Sequence, residues 1–383
     1  DLKDYVKINY ELTQDGLVSS KGKLSEVSAA PHSEGKIDLK INVPESGKCY
    51  LKFIYHLKKK LPLLDENYIL GFDEIEVSKD DAKCKLAEKW LQKTAVDSEL
   101  QVNENDTQIH IKGREFAYTI DKRTALFTEM KFAGREYLNH PMELNIWRAP
   151  TDNDMYIKSE WKKAHYDRAY TRAYTTEVMQ GRHGVKIISH ASVVAKTVQK
   201  ILDVMIAWKI DDIGRIDADI AVTKDDEFPD LPRFGVRMFL DKKLTDARYF
   251  GMGPQESYRD KHQAASHGLY RANVGDLHED YIRPQENGSH YDCEYVELNN
   301  SRYGIVVSAE NAFSFNASYY TQEELEKKTH NYELTESDSV VFCVDYALNG
   351  IGSNSCGPVV LDQYRFDDVL FRFQFTLVPY VKG

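Results

Sequence analysis

The chain has 383 residues, 42% of them apolar. That is enough for ordinary globular cores, and because single domains rarely exceed a few hundred residues, two domains are expected. The net charge of −11 favours solubility and repels phosphate backbones, which argues against a nucleic-acid partner.

No window approaches the ~18 continuous apolar residues of a membrane helix, so no membrane partner is expected. The opening Asp1-Leu2-Lys3-Asp4 has neither an initiator Met nor a secretory signal, as expected of a mature or excised fragment. Five scattered cysteines without a CxxC pair read as reduced thiols in a cytoplasmic protein. The sequon Asn287-Gly288-Ser289 has little force without that signal. The 24 tyrosines hint at carbohydrate, although half-buried strands attract aromatics equally well.

Period-two alternation dominates. Val6, Ile8, Tyr10 and Leu12 share one strand face, and Gly16 and Gly22 punctuate a hairpin after them. Ile37, Leu39, Ile41 and Val43, then Leu51, Phe53, Tyr55 and Leu57, predict two more strands of a small β-sandwich. From Ser78 to Thr107 the chain turns charged and turn-prone, with Leu86-Ala87-Glu88-Lys89-Trp90-Leu91 readable as one helical turn. The domain boundary is placed here, giving domains 1–100 and 101–383.

Alternation then resumes at Ile109 and Ile111 and at Phe116, Tyr118 and Ile120. It returns at Leu202 to Ile210, Ile216 to Val222, Phe234 to Leu240, Val340 to Tyr346 and Phe371 to Leu377. Long strands without intervening helices predict antiparallel sheets. Helices are expected only over about 158–170, where Ile157, Trp161 and Ala164 share a face, and from a capping box at Thr321-Gln322-Glu323-Glu324 to about Thr329. No repeat of the propeller or solenoid kind is present.

The chemistry is less legible. There is no nucleophile elbow, no cysteine pair with zinc spacing, and no i, i+4 histidine pair. Asp152-Asn153-Asp154 offers oxygens to a hard cation but lacks the Gly and distal Glu of a calcium loop, so a turn is the plainer use. Sugar hydrolysis needs an acid and a second carboxylate at fixed separation, and 61 Asp and Glu single out no pair. Glu256 and Glu286 stand out by their dense polar surroundings, where a polar network bracing two sheets competes with ligand contact.

Those surroundings carry a resemblance. Asn145-Ile146-Trp147-Arg148-Ala149-Pro150-Thr151-Asp152-Asn153-Asp154 resembles the opening motif of the β-galactosidase small-chain domain. Tyr249-Phe250-Gly251-Met252-Gly253-Pro254-Gln255-Glu256-Ser257-Tyr258-Arg259-Asp260 and Tyr281-Ile282-Arg283-Pro284-Gln285-Glu286-Asn287-Gly288 resemble its second and third motifs, in the family's order. The resemblance runs from about residue 105 to 381. Tyr5 to Leu24 resembles, more weakly, the preceding immunoglobulin-like domain.

The resemblance to glycoside hydrolase family 2 implies an all-β chain: an immunoglobulin-like β-sandwich, truncated at its start, then a large galactose-mutarotase-like β-supersandwich with few short helices. It implies hydrolysis of terminal β-galactosides such as lactose, with retention, by glutamates at the strand ends of a (β/α)8 barrel. No barrel is readable here, so the resemblance implies a chain inactive alone, with no catalytic residue, metal ligand or cofactor of its own. The family's Mg and Na belong mainly to the barrel region. The implied partners are that barrel, on the same polypeptide or on a separate large chain, β-galactoside sugars, and further copies in a homo-oligomer.

In some relatives a supersandwich loop brings a Trp to the galactose pocket. The matching stretch here is Gly350-Ile351-Gly352-Ser353-Asn354-Ser355-Cys356-Gly357-Pro358, with Cys356 in the place of that Trp. Asn354, Ser355 and Cys356 are therefore expected at the rim of the site in the complete enzyme. The rival reading is direct sugar binding on the concave face of the supersandwich, with Arg148, Asp152, Asn153, Asp154, Gln255, Glu256 and Glu286 as candidates. A third reading is a scaffolding module, which is compatible with the first.

Overall fold

The computed structural model describes residues 1–79, 83–92, 100–352 and 355–382. They divide into two compact units, 1–86 with 266–269 and 87–265 with 270–383. Strands dominate both. The helices are short: α1 (Leu2–Tyr5), α2 (Glu88–Leu91), α3 (Ile157–Lys163) and α4 (Gln322–Lys327).

The first unit is built on an antiparallel sheet of β1 (Val6–Gln14), β2 (Leu17–Lys23), β3 (Cys49–Leu57) and β4 (Ile69–Glu76), in the order β2-β1-β3-β4. The β1–β2 hairpin turns through Asp15 and Gly16, at φ 48° and 78°. Two successive left-handed residues match the strand twist, and Gly adopts that conformation without a Cβ penalty. Leu12, Cys49 and Leu51 form the small core.

The strand expected over Ile37–Val43 does not form: these residues join no ladder. Leu39, Ile41 and Val43 nevertheless pack on that core. Alternation reported which side chains turn inward, not whether the backbone finds a partner.

The second unit holds two sheets. The smaller runs in sequence order through β5 (Gln101–Glu104), β6 (Gln108–Lys112), β7 (Phe116–Asp121), β8 (Leu126–Phe132) and β9 (Arg135–Glu136). The larger has 12 strands: β10 (Leu138–Asn145), β11 (Tyr170–Gly181), β12 (Gly184–Val194), β13 (Leu202–Asp211), β14 (Ile216–Lys224), β15 (Arg233–Asp241), β16 (Asp246–Gly253), β17 (Ser266–Asn273), β18 (Ser289–Asn299), β19 (Tyr303–Ser318), β20 (Ser339–Leu348) and β21 (Leu370–Val381).

Its main path is β10-β15-β20-β19-β21-β14-β13-β12-β11, with β16, β17 and β18 branching off beside β19. The long β19 makes the branch. Tyr303–Ser308 pairs with β21, Ser314–Ser318 pairs with β20, and β18 runs along its other edge. The five predicted apolar positions of β13, Leu202 to Ile210, are all fully buried. Two polar tips stitch the smaller sheet to the larger: Tyr118 Oη donates to the Gly214 carbonyl at 2.7 Å and Trp208 Nε1 to that of Ala125 at 2.8 Å.

The helices are shorter than their patterns predict. α3 buries Trp161 as expected, but His165 takes a left-handed conformation and only a 3-10 turn, Tyr166–Arg168, follows. At α4 the Thr321 side chain caps Glu324 N. The Glu324 carboxylate accepts from Thr335 N rather than reaching back, so the capping box is half made.

Strand direction places the residues of interest at one end of the large sheet. Asn145, at the end of β10, pairs with Gly235, and Arg233, at the start of β15, pairs with Leu348, at the end of β20. The loops 146–154 and 349–352 therefore leave the sheet side by side. Loop 281–288 joins them, because Glu286 N bonds the Ala149 carbonyl.

Candidate functional site

Two buried arginines organise this end. Arg148 is fully buried and grips Asp154 with both arms, Nε to Oδ2 at 3.2 Å and Nη2 to Oδ1 at 2.7 Å. Its remaining donors reach forward to the carbonyls of Asn349 (2.5 Å) and Gly350 (3.2 Å). Asp154 also accepts from the Thr151 amide and hydroxyl, which closes Asp152–Asp154 into a capped 3-10 turn. The planar guanidinium fits this fork of acceptors as no ammonium could.

Arg233 forms the second centre. It holds Asp345 bidentately, at 3.1 and 2.6 Å, and Glu286 at 2.9 Å, all three side chains being essentially buried. Burial pushes the Asp345 carboxyl up to about 6 against the pull of Arg233. Arg233 itself is held protonated by its two carboxylates, which outweigh its own burial. Gly235 makes the arrangement possible: a Cβ there would stand 2.5 Å from Asp345 Oδ1 and 2.2 Å from the Val344 carbonyl.

The other candidates tie the loops together. Asn153 Nδ2 donates to the Ile351 carbonyl at 2.6 Å. The Asp152 amide donates to Gln285 Oε1 at 3.0 Å. Glu256 accepts from Lys261 Nζ, Tyr281 Oη, the Gly288 amide and, at 3.4 Å, Tyr258 Oη. Tyr281 is pushed above the ordinary phenol range, by burial first and the Glu256 carboxylate second. Gln255 is exposed.

The structure thus brings Arg148, Asp152, Asn153, Asp154 and Glu286 into one network, with Glu256 in the adjoining loop. Arg148, Asp154 and Glu286 are engaged with protein partners below the surface. Ser355 and Cys356 are exposed just beyond the anchored segment, and Asn354 lies outside the described residues. Among the described residues, no group of three or more His, Cys, Asp or Glu could hold a metal ion, and no helix is long and apolar enough to cross a membrane.

Several residues that matter escaped the sequence reading. Asp260 accepts from the amides of Ile351 (3.1 Å) and Gly352 (2.7 Å), pinning the base of the 349–358 loop. Asn349 Oδ1 holds the Phe366 amide at 2.8 Å. Asp345 lies on the phase opposite Val340, Phe342, Val344 and Tyr346, together with Val341 and Cys343, and β20 is covered on both faces. Asp260 did have a signal, since it closes the second motif.

Beside the pinned loop runs a groove of about 640 Å3 lined by Asn153, Tyr156, Asn349, Val359 and Arg365 among others. Its lining mixes Met155, Tyr156, Ile157, Val359 and Val360 with Asp154, Glu160, Asp230, Asp362 and Arg365, and Tyr156 and Val359 are 60% and 70% exposed, as is the neighbouring Leu361 at 61%. Large apolar side chains clustered on a surface mark contact with another body.

Comparison with known proteins agrees in direction. Residues 112–377 match the family described as β-galactosidase small chain, and residues 1–78 the one described as β-galactosidase, domain 4. A β-galactosidase of Actinobacillus pleuropneumoniae is 40% identical over 378 residues, 99% of this chain and 37% of its own length. One of Staphylococcus xylosus is 31% identical over 350 residues, 91% of this chain and 34% of its own. The chain spans about a third of the length of these curated relatives. A galactose 1-epimerase from Lactobacillus acidophilus covers 75% of the chain at a TM-score of 0.38 and 9% identity, too distant to carry an argument.

Proposed function

Because this chain belongs to the β-galactosidase small-chain family, we propose that it is the non-catalytic, C-terminal part of a β-galactosidase. In this reading it packs on a catalytic barrel, on the same polypeptide or a separate large chain, and supplies the rim of the galactose pocket. The observation that carries the reading is the pinned loop. Arg148, Asn153 and Asp260 fix residues 349–352 in place, and the exposed Ser355 and Cys356 follow them in the chain. A rigid base with an exposed tip is what a domain needs to present a few side chains to a site built mainly by another.

The same geometry supports inactivity of the chain alone. Glu256 and Glu286 both accept donors that hold their oxygens, and Glu286 is buried against Arg233. Both are thereby tied to the loops that they brace, and Glu286 is shut off from any sugar, whereas a retaining pair needs two carboxylates that reach the same sugar. The barrel carboxylates would cleave terminal β-galactosides such as lactose, with Mg and Na bound there, in a cytoplasmic homo-oligomer. Asn354, Ser355 and Cys356 would border the sugar.

The test is hydrolysis of a chromogenic β-galactoside by the purified chain, alone and mixed with a fragment carrying the barrel. Activity only on mixing is expected. Activity of the chain alone, persisting through further purification, would overturn the reading.

A further inference from the structure

Against the base of the pinned loop, where Tyr258, Leu348 and Ile351 pack together, a second cavity of about 220 Å3 opens between the strands β18, β19 and β20 and the segment Tyr258-Arg259. Sites for drug-sized ligands measure ~300–1,000 Å3, so this one suits a single small ring and not two joined ones.

Its lining mixes ring faces with hydrogen-bonding groups. Tyr258, Tyr291 and Tyr346 supply aromatic carbon, and Arg259, Asp292 and Asp368 supply charge. Arg259, Asp292 and Asp368 thus border the same space as the three rings. One N–H of Arg259 is engaged, with the Arg365 carbonyl at 2.9 Å, of the five a guanidinium carries.

Asp292 adopts a left-handed conformation, φ 55°, which Asp and Asn take more readily than most other residues with a side chain.

A lining with one cation and two carboxylates does not suit a phosphate or a carboxylate ligand. Fixed acceptors and a planar donor beside tyrosine faces suit a neutral polyol, whose hydroxyls bond the edges while its C–H face lies on a ring. We propose that this cavity is a binding site for one neutral monosaccharide, a six-membered aldose ring. The site is independent of the reading as a β-galactosidase part, and neither experiment decides the other.

Saturation-transfer NMR and calorimetry on the full 383-residue chain would test it with D-galactose, D-glucose and lactose. Millimolar binding of at least one monosaccharide is expected, with lactose clearly weaker for want of room. Asp292→Asn should keep the backbone, since Asn tolerates the left-handed region. It and Arg259→Gln should each weaken binding roughly 10-fold, as expected when a hydrogen bond to a charged group is lost. No saturation transfer from any monosaccharide would overturn the proposal. So would affinity unchanged in both variants, or lactose bound as well as the single rings.

Discussion

Arg233 faces two carboxylates, Asp345 and Glu286, with none of the three in contact with solvent. Such a group holds the loops in one arrangement rather than adding stability, because desolvation offsets most of the attraction. Removing one partner is another matter. Arg233→Met should lower stability by about 3–5 kcal/mol, read from the urea midpoint, because two buried carboxylates lose their counter-charge.

His290 makes a second residue-scale prediction. Its ring lies against Tyr249 and Phe315, with centroids 4.4 and 5.1 Å away, and burial pulls its pKa down to about 4. The unfolded chain protonates near 6.5, so it binds more protons than the folded one between those values. The stability contributed by neutral His290 is therefore present above pH 6.5 and lost as pH falls toward 4, by about 3 kcal/mol. Asp345 slopes the other way: with its carboxyl raised to about 6, the folded state takes up the proton first and gains as pH falls from 6 toward 3.8. The two slopes mask each other in the intact protein. Compared with His290→Phe, the wild type should lose about 3 kcal/mol between pH 7 and pH 4 in urea titrations; parallel pH profiles would refute the assignment.

At the scale of elements, strands were readable and their partners were not. Leu202 to Ile210 and Ile216 to Val222 alternate cleanly, and both became strands with those residues inside. Nothing local states that β14 also pairs with β21, 146 positions further on from Lys224 to Leu370, or that β19 divides its edge between β20 and β21. The segment Ile37–Val43 shows the converse, an alternating pattern with no ladder to join.

The loop at 349–358 belongs to this scale as well, since its base is held by side chains from two other segments, 146–154 and Asp260. Asp260→Ala should free the amides of Ile351 and Gly352. Hydrogen exchange at these two positions should quicken by the equivalent of about 1–3 kcal/mol of protection, with β13 unaffected. Equal protection in the variant would mean the backbone holds the loop without Asp260.

For the whole molecule the question is what the exposed end of the large sheet meets. Tyr156, Val359 and Leu361 should become protected from solvent when the barrel-bearing part is added, detectable by footprinting or as a larger unfolding m-value. In the complete enzyme, Cys356→Ala should raise KM for lactose by roughly 2–5-fold, the size of one lost thiol contact. Cys356→Trp should lower it, because an indole covers far more of a sugar face. A KM unmoved by both substitutions would remove Cys356 from the rim.

The sequence by itself determined the strand-rich class, the inward face of most strands and the three polar segments that gather at one end of the large sheet. These are local properties: alternation follows from the two-residue repeat of a strand, and dense turn formers mark loops wherever they fall. Only the tertiary structure decided that Arg148 and Glu286 are buried, that Asp345 turns inward and that Asp260 holds a loop 91 and 92 positions away. Whether a polar side chain meets water or a partner depends on which strands lie beside it and what covers its sheet. Those are sums over contacts between distant segments, and no window of sequence contains them.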